Sequence, residues 1–176
     1  MVTDVVYICG SAYASIGLYT NFVSQSLKDD LEDPVGHYQL VLEKSDDSSS
    51  ARDYVPSTVK AFWVAESVCS TTGKTEIVGA VGLDSSSHHK VAGTGEVRRI
   101  VVSPYHRRLG IAAALMNACE SRAKACSLSN MVLTTSQYQP GAINMYERAG
   151  YRVYNRRAFP SGWGTIDLID YGKGLA

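Results

Sequence analysis

The sequence predicts an α+β domain built on a mixed sheet, and two features carry that prediction. The first is a strand–loop–helix segment near the middle of the chain. Val97 to Val102 is a run rich in branched residues, Ser103-Pro104 stops it, and from Leu109 the composition turns to Ala, Leu and Met. Branched residues favour strands, Pro lacks the N–H a ladder needs, and Ala, Leu and Met are strong helix formers. The second is the element order, which reads β-β-β-α-β-α-β-β with no internal repeat and no dividing linker. Such an order fits one α+β domain spanning residues 1–176 better than a regular βα alternation. At 176 residues, 45% apolar and 19% charged, the chain is large enough for its own core.

Taken from the start, Val5 to Leu27 carries no charged residue, yet Gly, Ser, Tyr, Thr, Asn and Gln dilute it. Ile16, Tyr19, Val23 and Leu27 keep a helical stripe into Leu31, which predicts an amphipathic helix in an N-terminal region running to about residue 55. By length the same stretch reaches across a bilayer, so a membrane-associated segment is the alternative. Lys28 to Pro34 ends the helix, and Ser45 to Ser50 is too polar to pack. Phe62 to Ala65 and Thr75 to Leu83 are strand runs, joined by a hairpin loop Cys69 to Lys74 in which Gly73 allows positive φ. Asp84 to Gly95 is a loop in which Gly93-x-Gly95 is a turn, and its His88-His89 pair, with no acids following, does not make a metal site. Met131 to Thr135 is a strand, and Pro140 opens a short helix that Gly150 stops. Tyr151 to Phe159 and Thr165 to Tyr171 close the sheet as an antiparallel pair around Ser161-Gly162-Trp163-Gly164.

Charge and cysteine usage narrow the function. Lys+Arg and Asp+Glu number 17 each, which leaves no basic footprint for nucleic acid. Cys9, Cys69, Cys119 and Cys126 show no CxxC spacing, so reduced thiols in an intracellular, most simply cytoplasmic, protein without a structural metal are expected. Cys119 and Cys126, seven apart, read as small core residues of one helix face.

The charges at the start of the central helix are reversed from the usual preference. Arg107 and Arg108 arrive in the first turn, and no acid appears until Glu120. A helix N-terminus carries unpaired N–H groups and partial positive charge, which acids normally offset. With Gly110 allowing close backbone approach, the arrangement suits a bound anion such as phosphate; a solvated basic loop is the plainer alternative.

These residues resemble a known family. R-R-L-G-I-A, Arg107 to Ala112, fits the (Q/R)-x-x-G-x-(G/A) acyl-CoA loop of the GNAT acetyltransferases. About 35 residues on, A-I-N-M-Y-E-R-A-G-Y, Ala142 to Tyr151, is similar to the family's A-I-x-L-Y-x-x-x-G-(F/Y) segment. The resemblance covers about Phe62 to Tyr171 and implies a mixed, mostly antiparallel central sheet flanked by helices. It implies acetyl-CoA as co-substrate, bound at a splayed strand and a helix N-terminus. Pantetheine would pair with the backbone of Ile100, Val101 and Val102. The backbone from Arg108 through Leu109, Gly110 and Ile111 to Ala112 would hold the pyrophosphate, helped by the Arg107 and Arg108 side chains.

Tyr146 falls on the family's frequent general acid, and a phenol with pKa near ~10 stays protonated at neutral pH. Taken alone, a Tyr on a short helix is ordinary core. Glu96 stands where some members keep a general base, although an exposed ion pair with Arg98 is the simpler reading of that residue. Gln139 occupies the place where many members have Asn for pantetheine, with Asn144 as an alternative.

A finer resemblance is to the camello-like acetyltransferases, through F-V-S-Q-S-L-K-D-D-L-E-D, F-W-V-A-E-S, I-V-G-A-V-G-L and T-T-S-Q-Y-Q-P-G-A-I-N-M-Y. Those proteins carry a hydrophobic membrane segment upstream, which makes residues 5–23 a candidate remnant of an anchor. The implied activity is N-acetyl transfer to a primary amine on a protein or a small molecule, by direct attack and without a covalent enzyme intermediate. The rival reading is a module that binds acyl-CoA as a regulatory ligand without turnover.

Overall fold

The computed structural model describes residues 24–25, 27–42, 54–85, 91–161 and 164–175. Most of the predicted N-terminal helix or anchor, Cys9, the Ser45–Ser50 loop, His88-His89 and Gly162-Trp163 lie outside them. Among the described residues no helix is long and apolar enough to cross a membrane. The chain divides into two compact units, Met1–Asp33 with Thr134–Gly172, and Pro34–Leu133 with Lys173–Ala176.

The second of these contains most of the predicted order. A short helix α1 (Pro34–His37) leads into a small antiparallel pair, β1 (Leu40–Leu42) with β2 (Tyr54–Pro56). None of the three was expected, because three- and four-residue elements carry too little periodicity to read. Then come β3 (Ala61–Val68), β4 (Thr75–Asp84) and β5 (Thr94–Val102), followed by α2 (Ile111–Ala125) and the start of β6 (Asn130–Ser136). The hydrogen-bonded order is β3-β4-β5-β6, with β3/β4 and β4/β5 antiparallel and β5/β6 parallel. The expected hairpin closes as predicted: Gly73 has φ +67°, its N–H donates to Cys69 O at 2.8 Å, and Cys69 N–H donates to Lys74 O.

Two boundaries differ from expectation. The central strand begins at Thr94, so Gly95 is a strand residue and only Gly93, at φ +71°, makes the turn. A Cβ at Gly95 would stand 2.9 Å from the side chains of Leu83 and Leu128, which is why the strand carries Gly there. The helix begins at Ile111 rather than Leu109, because Gly110 adopts φ +80°, ψ −2° and caps it. Cys126 is likewise the residue after the helix and only half-buried, while Cys119 is core. Burial raises the Cys119 thiol to about 12.

The two faces of β4 and β5 differ in kind. Val81, Leu83 and Val97 are buried with Leu115, Met116, Cys119 and Ala123 of α2. Gly79 lets the helix approach: a Cβ there would meet Ile111 and Leu115 at 3.2 Å. The opposite face takes Tyr38, fully buried, with its ring tilted against Phe62 at a centroid distance of 5.1 Å. There Gly82 leaves room for the Tyr38 ring, whose Cζ lies 2.7 Å from where a Cβ would stand.

The other unit holds the end of β6, a helix α3 (Pro140–Arg148) and the closing pair β7 (Arg152–Ser161) and β8 (Gly164–Gly174), in the order β6-β8-β7. Gly150, at φ +90°, ends α3 as its position predicts. Tyr146, Tyr151, Ile166, Ile169 and Tyr171 are buried. Asp170 is also buried. Thr134 donates to it at 2.7 Å, Asn155 at 2.8 Å and Arg157 at 2.8 and 3.1 Å. Burial alone would raise its carboxyl, and these donors together bring it below the ordinary value.

Replacing Gly82 with Ala should force the Tyr38 ring off the sheet. Overpacking of this kind costs typically about 1–3 kcal/mol, to be read as a lowered urea midpoint with an unchanged m-value.

Candidate active site

The constellation in the second unit starts with a change of register. Gly79 pairs with Val102 and Ala80 with Val101, but Gly82 pairs with Arg98 and Asp84 with Glu96. Two residues of β5, Arg99 and Ile100, therefore oppose the single Val81, which defines a β-bulge. Arg99 takes φ +55° there, a left-handed conformation that costs a non-glycine residue about 1–2 kcal/mol. The bulge bends β5 away. Its ladder with β6 covers only Thr94↔Asn130, Gly95↔Met131 and Glu96↔Val132. Beyond Glu96 the strand is no longer enclosed, and Val101 is 60% exposed. None of Ile100, Val101 and Val102 is in the β5/β6 ladder.

That edge runs into the loop. Ser103 N–H donates to Val78 O at 2.8 Å and extends the β4/β5 pairing, and a 3₁₀ turn over Pro104–His106 comes next. Arg107 is extended, Arg108 takes φ +68° and Gly110 φ +80°. Two left-handed residues within three turn the backbone sharply just ahead of the helix. The helix beyond it has no side-chain N-cap and no acid in its first turn. Its first backbone bond runs from Ala114 N–H to Gly110 O at 3.0 Å, so the N–H groups before Ala114 lack helical acceptors. Arg107, Arg108, Leu109 and Gly110 are all exposed, with Ile111 and Ala112 half-buried. A Cβ at Gly110 would meet nothing within 4 Å, so the space above it is free for a ligand. These residues fit a diphosphate.

Glu96 is the residue whose setting departs most from expectation. It is 7% exposed and has no hydrogen-bond or ion-pair partner among the described residues. The exposed ion pair with Arg98 does not form; Arg98 Nη1 instead donates to Asp84 Oδ2 at 3.3 Å. Asp84, where the expected loop begins, is instead the buried last residue of β4.

In the other unit, α3 carries the remaining candidates. Tyr146 is 3% exposed, with its ring 6.0 Å from Tyr171 and 6.3 Å from Tyr151. Burial raises its phenol to about 12, and the hydroxyl has no hydrogen-bond partner among the described residues. Gln139 stands at the N-cap without capping the helix; its Oε1 accepts from Thr135 Oγ1 at 3.0 Å. Asn144 is exposed, and two residues of helix place it roughly 200° around the axis from Tyr146. Among the described residues no group of His, Cys, Asp and Glu has the arrangement of a metal site.

Comparison with known proteins agrees with this geometry. The profile of the Acetyltransferase (GNAT) family matches residues 24–151. "Probable N-acetyltransferase 14" of Xenopus tropicalis is 30% identical over 65% of this chain and 52% of its own length. N-acetyltransferase 8B of Homo sapiens, from the camello-like group, is 27% identical over 77% of this chain and 57% of its own. The chain thus spans about half the length of the curated relatives it matches. Among solved structures, a GNAT-family acetyltransferase from Staphylococcus aureus Mu50 superposes with a TM-score of 0.57 at 20% identity, covering 84% of this chain and 77% of that one. That similarity is one of fold.

A Gly110→Trp variant should remain folded, since the side chain enters open space and only the positive φ is penalised, by about 1 kcal/mol. Its affinity for acetyl-CoA in calorimetry should fall at least tenfold; parental affinity in the folded variant would remove the loop from the binding site.

Proposed function

The chain belongs to the acetyltransferase (GNAT) family, and on that premise we propose that it transfers the acetyl group of acetyl-CoA to a primary amine by direct attack. The observation that carries the proposal is the parting of β5 from β6 directly after Glu96. One departure leaves an open strand edge, leads into an uncapped helix start and sets at its origin a carboxylate without a partner among the described residues. An acyl-CoA-binding regulator needs the first two features but not the third.

Each residue then has a chemical task. The backbone from Arg108 to Ala112 with the Arg107 and Arg108 side chains holds the diphosphate, and Ile100 to Val102 offer backbone groups to pantetheine. The thioester supplies an activated acetyl group. An acceptor amine of pKa near ~10.4 is protonated at neutral pH and must lose a proton before it attacks; Glu96 takes it, directly or through water. Tyr146 provides the O–H for the departing sulfur. A phenol lifted to about 12 is a weaker acid than a thiol of ~8.5, so its contribution is a hydrogen bond to the developing thiolate more than a completed proton transfer. Its burial among tyrosine rings serves both packing and this task. Gln139 is proposed for pantetheine, with its amide held by Thr135; Asn144, turned away from the Tyr146 face, has the weaker claim.

The acceptor class is an amine on a protein or on a small molecule. Free-thiol release with a panel of amines tests both activity and acceptor, and no release with any amine or peptide would favour the regulatory reading.

Tyr146→Phe keeps the ring and should lower kcat and kcat/KM alike by about 10²–10³-fold, the loss of one hydrogen-bond donor to developing charge, with little change in the acetyl-CoA KM. Because the phenol stays protonated up to about pH 12, any activity limb below pH 11 should persist in the variant. Turnover within twofold of the parent would show that the hydroxyl only packs.

A further inference from the structure

Glu96 makes no pair among the described residues, although an arginine lies two residues away on its own strand. Cross-strand register sets Asp84 directly opposite Glu96 and Gly82 opposite Arg98. Alternate residues share a face, so Glu96, Arg98 and Asp84 lie on one side of the sheet, with Arg98 diagonal to Asp84. It is the side Tyr38 packs on at Gly82. Arg98 therefore shares a face with two carboxylates, and its Nη1 donates to Asp84.

The chosen carboxylate is the better fixed. Asp84 is 1% exposed; Lys60 Nζ lies 3.3 Å from its Oδ1, and His37 Nε2 lies 3.0 Å from the Oδ2 that also accepts from Arg98. Lys60 precedes β3 and His37 ends α1, so the cluster gathers groups from four segments. A carboxylate so surrounded orients the Arg98 guanidinium toward itself. Among the described residues the titratable groups on this face are Asp84 from β4, Arg98 from β5, Tyr38 over Gly82 and, gathered at Asp84, Lys60 and His37; β6 sets Val132 beside Glu96.

We propose that Asp84 is a positioning residue for Glu96: by holding Arg98, it keeps the guanidinium off the Glu96 carboxylate and leaves that carboxylate basic enough to accept the acceptor's proton. The catalytic half of this statement rests on the reading of Glu96 as base; the electrostatic half does not. An Arg–Glu pair would stabilise the charged carboxylate and lower its pKa by roughly 1–3 units, weakening the base.

The test is a carboxyl ¹³C NMR titration of Glu96 in protein labelled at glutamate, with the resonance assigned by its loss in Glu96→Gln. Arg98→Met, the mildest change, should move the Glu96 midpoint by less than about half a unit; a rise of a full unit or more would show that Arg98 already binds Glu96 and overturn the proposal. Asp84→Asn should lower the midpoint by at least about one unit. The double variant Asp84→Asn/Arg98→Met should bring it back toward the parental value. A midpoint unmoved by Asp84→Asn, or equally low in the double variant, would contradict control through Arg98. The acid limb of kcat/KM should follow the same shifts. If Glu96→Gln turns over at the parental rate, the base assignment fails while the titrations still decide the pairing. Should Asp84→Asn not fold, the Arg98→Met titration carries the test alone.

Discussion

The structure of the candidate site depends on one event, the departure of β5 from β6 after Glu96. A strand flanked on both sides has its backbone groups used up by its neighbours. Here the bulge at Arg99-Ile100 slips the β4/β5 register by one residue and turns the strand, so pairing with β6 ends after three residues. Strain at Arg99 is the cost of this turn, and it persists because β4 pairs on both sides of the bulge. The downstream features are its consequences: an exposed edge at Val101, a tight turn at Ser103-Pro104 and a helix start whose donors face outward without a cap.

The same departure explains the electrostatics. Glu96 is the last β5 residue paired on both sides, which accounts for its burial, and the next residues on its face lead away from β6. A carboxylate this enclosed normally gathers donors, as Asp170 does with Thr134, Asn155 and Arg157. Asp84 gathers them as well. Among the described residues Glu96 gathers none, and in a protein of equal positive and negative charge that exception is local arrangement rather than a shortage of cations. The contrast between Glu96 and the saturated carboxylates of Asp84 and Asp170 is a stronger indication of chemistry than the exposure of any single group.

Much of this was legible in the sequence, and the reasons are local. Pro104, Gly110, Pro140 and Gly150 mark boundaries through backbone chemistry, and each does what its residue type dictates. Periodicity found the strands to within a few residues, and two spaced motifs identified the family. The bulge was not legible, because V-R-R-I-V-V reads as an ordinary strand and the left-handed position is filled by Arg rather than by Gly or Asn. The doubled Arg98-Arg99, which breaks alternation, was its only local trace. The Asp84 cluster was missed for a different reason: His37 and Lys60 lie 47 and 24 residues away, and no spacing rule connects them. Hence Arg98 was assigned to its near neighbour Glu96 and not to the diagonal residue on the next strand.

The central claim is that the open β5 edge and the uncapped start of α2 together take up acetyl-CoA. Amide hydrogen exchange on the full chain, with and without a non-reactive thioether analogue of acetyl-CoA, tests it most directly. Slowed exchange confined to the N–H groups of residues 100–102 and 109–112, with the β3/β4 hairpin unchanged, is the expected result. Binding that leaves those amides as fast as in the free protein, or that protects the hairpin instead, would contradict it.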